Sequence, residues 1–191
     1  MRVEEIGTGL WYWTGLHPDW TPADGGPEGW EQEVGCVYYE APAAVVLVDP
    51  LVPPEDPERF YSALDRDVER AGLPVRVLMT VGAHERSCRE LAERYGGTVG
   101  ERPEGVEVGA EALGEIVFWI PEHGAIVAGD VLITRGGHLE VPRAWLGDAY
   151  DEAVGELAPL LELPVERVLV THGDPVLEHG REALVDALVI D

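Results

Sequence analysis

Val77-Leu78-Met79-Thr80-Val81-Gly82-Ala83-His84-Glu85-Arg86-Ser87 is the stretch on which the reading of the fold turns. Residues 75–80 form a short apolar run of the length and composition of a strand buried on both faces. Gly82 ends it, and His84, Arg86 and Ser87 then bring an imidazole, a guanidinium and a hydroxyl into one short loop. Ser87 with Glu90 three residues later has the pattern of a capping box, so the spacing predicts a helix from there to about Tyr95. A buried strand feeding a polar loop and then a helix is where mixed α/β proteins carry functional groups.

Outward from that stretch the same logic repeats. Phe60, Leu64 and Val68 recur at helical spacing over residues 57–71, and Gly72 follows as a stop. Residues 34–40 and 44–48 predict a hairpin around Ala41-Pro42-Ala43, with Asp49-Pro50 closing its second strand. Residues 10–14 predict an aromatic strand, and a Gly- and Pro-rich loop from His17 to Trp30 follows it. Beyond the central stretch, residues 115–120 and 125–128 flank a turn at Pro121-Glu122-His123-Gly124. Residues 151–161 predict a helix, 167–170 a buried strand, and 180–190 a closing amphipathic helix. Strand pairs followed by helix and strand, twice over, predict two sheets packed face to face with helices outside. Periodicity gives an α/β or α+β class, and no linker divides the chain, so one domain over residues 1–191 is expected.

The 191 residues are 46% hydrophobic, enough for a substantial core. The formal charge of −24 argues against nucleic acid or an anionic membrane as partner, because neither finds a basic face on which to release counterions. Every cationic side chain is an arginine. No run of roughly 18 apolar residues predicts a membrane span. Met1-Arg2-Val3-Glu4-Glu5 lacks the basic-then-apolar layout of a secretory signal. Cys36 and Cys88 lie far apart in different predicted elements, which fits free thiols in a reducing compartment. A cytoplasmic protein is therefore expected, with self-association left open.

Five segments together resemble the metallo-β-lactamase superfamily. Val46-Leu47-Val48-Asp49-Pro50 is similar to its early strand ending in Asp-Pro, and the His84 loop to its HxHxDH signature. Without gaps, Gly82 stands at the first His of that signature, His84 at the second, Arg86 at the Asp and Ser87 at the third His. A register one residue earlier would put Val81 and Ala83 at the first two positions and leave His84 out. Gly109-Ala110-Glu111-Ala112-Leu113-Gly114 resembles the later GHTPG loop, with Glu111 at its His. Ala128-Gly129-Asp130-Val131-Leu132 resembles the strand end whose Asp bridges two metals, and Val170-Thr171-His172-Gly173-Asp174-Pro175 the loop carrying the last His.

The resemblance implies a four-layer αββα sandwich. It also implies a site at His84, Glu111, Asp130 and His172, too few groups for the two cations of an active relative. A diverged, non-hydrolytic protein without cofactor, binding a small ligand in a relic pocket, is one expectation. The alternative is a mononuclear hydrolase of an ester, thioester or lactone, with a single Zn or Fe ion on two imidazoles and a carboxylate. Asp130, His172 and Arg86 are the candidate catalytic groups, and an Arg86–Asp130 salt bridge is predicted in the metal's stead. His138, in Arg135-Gly136-Gly137-His138, and the loop residues Trp20 and Trp30 are candidate ligand contacts. The simpler expectation for that tryptophan loop is that it folds back onto the sheet. His17, His123 and His179 are expected at the surface, and Cys88 in the core.

Overall fold

The computed structural model describes residues 1–189. The first half contains β1 (Val3–Gly7), β2 (Leu10–Leu16), β3 (Glu33–Ala41), β4 (Ala44–Val48), α1 (Pro57–Ala71), β5 (Val75–Leu78), α2 (Cys88–Arg94) and β6 (Thr98–Val99). The second contains β7 (Glu107–Ala112), β8 (Glu115–Ile120), β9 (Ala125–Ala128), β10 (Ile133–Arg135), β11 (His138–Glu140), α3 (Arg143–Leu146), α4 (Tyr150–Leu157), β12 (Arg167–Val170) and α5 (Gly180–Leu188). The predicted end of the last helix at Ile190 lies outside the described residues. No described helix is long and apolar enough to cross a membrane.

Strands β1 to β6 form one sheet in sequence order, and a second sheet has the order β12-β9-β8-β7. The side-chain period of two sorts each strand's residues into separate layers. Val46 and Val48 of β4 meet Phe118, Ile120, Val127 and Leu169 of the other sheet. Val45 and Leu47, pointing the other way, pack with Phe60 and Leu64 of α1 and Leu91 of α2. On the far side, Trp119, Ile126 and Val168 pack against Ala153, Leu157, Leu184 and Leu188 of α4 and α5. Three apolar layers between helix, sheet, sheet and helix make the αββα arrangement. All five residues of β4 are buried because both faces of its sheet are covered. Truncating Leu47 to Ala would cost about 2–5 kcal/mol.

Three local expectations are corrected. Residues 109–112 are not a loop: they lie in β7 and pair with β8, Glu111 opposite Ile116. Leu113 and Gly114, at φ +52° and +81°, form a two-residue hairpin turn of the kind that needs two positive φ angles. The second-half helix runs only from Tyr150 to Leu157, and residues 158–162 tighten into a 3-10 turn. Pro159, lacking an N–H, cannot continue the α-helical ladder. Ser87 precedes α2 but forms no capping bond. Its Oγ accepts instead from the Val52 N–H at 3.0 Å, while Glu90 accepts from the Tyr61 hydroxyl.

Two parallel pairings set up the site. β4 runs parallel to β5 and β12 to β9, so Asp49, Thr80, Asp130 and His172 all follow carboxyl ends of strands. The two sheets are tied at that end, where the Gly35 N–H donates to the Thr171 carbonyl at 2.8 Å and Val34 bridges His172. Ligands in open α/β sheets favour this edge.

Candidate functional site

Asp49 anchors the site from below. The residue is 1% exposed, and its φ of +46° is a left-handed conformation rare outside glycine. The Thr80 N–H reaches its Oδ1 at 2.8 Å, and the Thr80 hydroxyl reaches its Oδ2 at 2.6 Å. His84 Nδ1 lies 2.9 Å from the same Oδ2. With Nδ1 so engaged, the opposite ring atom, Nε2, is turned toward Asp130.

Asp130 is placed by a carboxylate that the sequence did not single out. Glu115, buried at the start of β8, accepts the N–H groups of Gly129 at 2.7 Å, Asp130 at 2.8 Å and Val131 at 3.2 Å. Burial and the Asp130 charge push the Glu115 carboxyl up to about 7, against the pull of those N–H bonds. Gly129 is required by space: a Cβ there would stand 2.3 Å from Thr80 Oγ1 and 3.1 Å from His84 Cε1. The glycine lets the β9 end slide between the β5 loop and Glu115.

The outcome is a cluster of three. His84 Nε2 is 3.2 Å and His172 Nε2 3.1 Å from Asp130 Oδ1. Both are ion-pair distances, and Asp130 Oδ1 is buried without a well-aligned hydrogen bond. Burial would lower the His84 pKa, but the Asp130 and Asp49 carboxylates override it and hold it at about 9. Burial lowers that of His172, against the pull of Asp130. Burial would raise the Asp130 carboxyl, but the two imidazoles hold it well below the usual carboxylate range.

His172 is held by aromatic rings. Trp30 meets it edge-on at 5.0 Å and Trp145 at 5.5 Å between ring centroids, while its Nδ1 is buried and unpaired. The Trp145 indole N–H donates to the Glu28 carbonyl at 2.6 Å, and that of Trp20 to the Trp30 carbonyl at 2.9 Å. The tryptophan loop is thereby fastened over the pocket rather than laid back on the sheet. His17, expected at the surface, packs edge-on to Trp30 at 5.3 Å. A cavity of about 380 Å³ lies among these rings, the cluster and Arg86. A second of about 660 Å³ shares Trp30, Trp145 and His172 with it and is also lined by Trp20.

The predicted Arg86–Asp130 salt bridge is not formed. Arg86 Nη1 donates to the carbonyls of Asp49 at 3.1 Å and, at 3.4 Å, Gly35. Its backbone, at φ +32° and ψ −113°, is a strained conformation costing about 1–3 kcal/mol. Glu111 does not join the cluster; it faces solvent from β7, and the only candidate metal group among the described residues is His84, Asp130 and His172. His138 is exposed on β11 and lines neither cavity. His179 is exposed, Cys88 is buried, and His123 is half-buried against Tyr39 at 5.5 Å. Sequence reasoning missed Glu115, Thr80 and Trp145. The Glu115-Ile116-Val117 start of a strand carried a charge where burial was expected, which was the one available signal.

Comparison with solved structures gives the architecture its name. The DIM-1 metallo-β-lactamase exposed to ceftazidime matches at a TM-score of 0.55, with 12% identity over 97% of this chain and 96% of that one. The IND-7 metallo-β-lactamase matches at 0.54, with 18% identity over 96% and 97%. A metallo-β-lactamase from Erythrobacter litoralis matches at 0.54, with 14% identity over 97% and 95%. The chain has the metallo-β-lactamase fold. No family model and no curated protein matches the sequence.

A metal fits the residues that this metallo-β-lactamase fold brings together. A tetrahedral zinc with bonds of about 2.0–2.1 Å separates its ligand atoms by about 3.3 Å; Asp130 Oδ1 stands 3.1 and 3.2 Å from the two imidazoles, and all three ligand atoms lie within 4.8 Å of one another. Two imidazole nitrogens converging on one buried carboxylate oxygen have the arrangement of groups able to share a cation. Asp49 behind His84 adds the carboxylate–histidine pairing that orients metal-binding imidazoles.

Proposed function

We propose that the protein is a mononuclear metal-dependent hydrolase of a small ester, thioester or lactone. The observation that carries this reading is the convergence of one ligand atom each from His84, His172 and Asp130 within 4.8 Å of one another, both Nε2 atoms close to Asp130 Oδ1. Three protein ligands with an open side are the arrangement of catalytic rather than structural zinc sites. His84 and His172 would hold the ion through Nε2 and Asp130 through Oδ1. A divalent ion in this set supplies a Lewis acid and lowers the pKa of water.

The remaining residues position and shield. Asp49 fixes the tautomer of His84 by accepting a hydrogen bond from its Nδ1–H, and Thr80 fixes Asp49 by donating to it. Glu115 holds the 129–131 backbone so that Asp130 faces both imidazoles. Trp30 and Trp145 cover His172 and keep water from its side of the cluster. The Arg86 guanidinium lies in the cavity wall, where it can stabilise negative charge developing on a substrate oxygen.

One observation favours a second reading, a diverged non-hydrolytic protein that binds a small ligand in this pocket. Arg86 brings a permanent cation to the cavity that a metal would share, and its charge already disfavours protonation of His84 and His172. Metal analysis of the purified protein separates the two, followed by an ester, thioester and lactone screen with added Zn²⁺, Mn²⁺ or Fe²⁺. The hydrolase reading expects one metal per chain and activity lost in His84→Ala and His172→Ala. Failure to take up any of these ions would sink it.

A further inference from the structure

Arg86 differs from the other arginines of the chain. Among the described residues, each half-buried arginine other than Arg86 has a carboxylate partner: Arg76 with Glu101, Arg135 with Glu140, Arg167 with Glu166. Arg86 is half-buried and forms no ion pair, in a chain of net charge −24. One amino group, Nη1, reaches two backbone carbonyls, and Nε is buried with no partner at all. A guanidinium presents donors in a planar fork suited to a carboxylate, and leaving it without an anion forgoes that pairing. Arg86 and His84 both line the cavity, and of the two only Arg86 has no carboxylate beside it.

The opposite wall supplies the other half of a ligand. The indole N–H of Trp145 is already bound to the Glu28 carbonyl, so that residue offers the cavity ring carbon rather than a donor. Trp30 stands beside it, and both rings line the same 380 Å³ space as Arg86. That volume lies at the small end of ligand cavities.

We infer that the cavity binds a small carboxylate bearing an apolar, planar group, with its carboxylate on Arg86 and its ring against Trp30 and Trp145. The inference rests on the hydrolase reading only for what becomes of the ligand; recognition stands on Arg86 and the two tryptophans.

The test is calorimetric titration of the metal-free protein with 1-naphthoate, its uncharged counterpart 1-naphthamide, and acetate. Naphthoate is expected to bind about tenfold or more tightly than either, since a charge-assisted pair and ring burial are each worth about that factor. The preference for charge should vanish in Arg86→Gln and persist in part in Arg86→Lys. Equal binding of naphthoate and naphthamide by the wild-type protein would overturn the inference without relying on any variant. Acetate binding as tightly as naphthoate would overturn its aromatic half. A protein that takes up metal yet shows no charge preference sinks this inference and leaves the hydrolase reading standing. Charge-selective binding with no metal uptake does the reverse.

Discussion

At the β5 end of the site His84 is fixed by hydrogen bonds, whereas at the β12 end His172 is fixed by packing. His84 Nδ1 meets Asp49, itself locked by two bonds from Thr80. His172 Nδ1 meets nothing, and its ring is wedged between Trp30 and Trp145. The difference teaches that the two imidazoles facing Asp130 are not equivalent ligands. The first has its tautomer and basicity set by a buried carboxylate. The second keeps only its orientation, set by residues of a loop and a short helix.

That asymmetry can be broken by experiment. The largest effect is expected for His84→Ala, which removes a ligand that Asp49 pre-orients. Zn²⁺ affinity in a chelator competition should fall by at least about 100-fold, and by less in His172→Ala. Equal losses would erase the distinction. Next comes Asp49→Asn, which leaves every ligand in place but strips the carboxylate from behind His84. Metal affinity should fall about 10- to 100-fold, and denaturant unfolding of the metal-free protein should show a loss of about 1–3 kcal/mol. A variant indistinguishable from wild type in both would mean that the Asp49–His84 contact is incidental.

The pH dependence sharpens the same contrast. In the metal-free protein His84 carries its proton up to about pH 9, held by Asp49 and Asp130 against burial and the Arg86 charge. A metal must displace that proton, so affinity should rise with pH by up to about tenfold per unit below pH 9. His84 also contributes stability to the metal-free fold that is fully present below pH 6.5, its unfolded value, and is lost as pH rises through about 9. In Asp49→Asn both windows should move to lower pH; unchanged midpoints in titrations followed by NMR of the imidazole would contradict this. The smallest effect is expected for Trp145→Ala. If packing only orients His172, metal affinity should change by less than about threefold. A larger loss would show that the indole does more than hold a ring in place.

Most elements were legible because each carries one clean period. The β4 run Ala44–Val48 is apolar at every position because both of its faces are covered, and α1 shows Phe60 and Leu64 on one stripe ending at Gly72. The stretch 109–114 misled because its glycine-bounded run resembles the family's GHTPG loop. Its real signal was Leu113-Gly114 as a hairpin turn, which turns Glu111 to solvent and brings Glu115 inside. The Arg86–Asp130 pair was a sound pairing of opposite charges that geometry denied. The Gly35 and Asp49 carbonyls take the Arg86 Nη1 donor, and two imidazoles stand within reach of Asp130. Trp145 could not be found from sequence at all, since its place beside His172 depends on a bond to Glu28, over a hundred residues away.

The sequence by itself determined the layers, the strand ends and three of the groups that meet there: His84, Asp130 and His172. Local periodicity suffices for the strands and their ends, because burial on two faces leaves its pattern in consecutive residues, while the layers and the three groups follow from the resemblance of the strand-end motifs to a known family. Tertiary structure alone decided which carboxylates serve them, which tryptophans enclose them and where the Arg86 charge is left without a partner. Those outcomes depend on distances of a few ångströms between segments remote in the chain, and on competition between donors that no local pattern records.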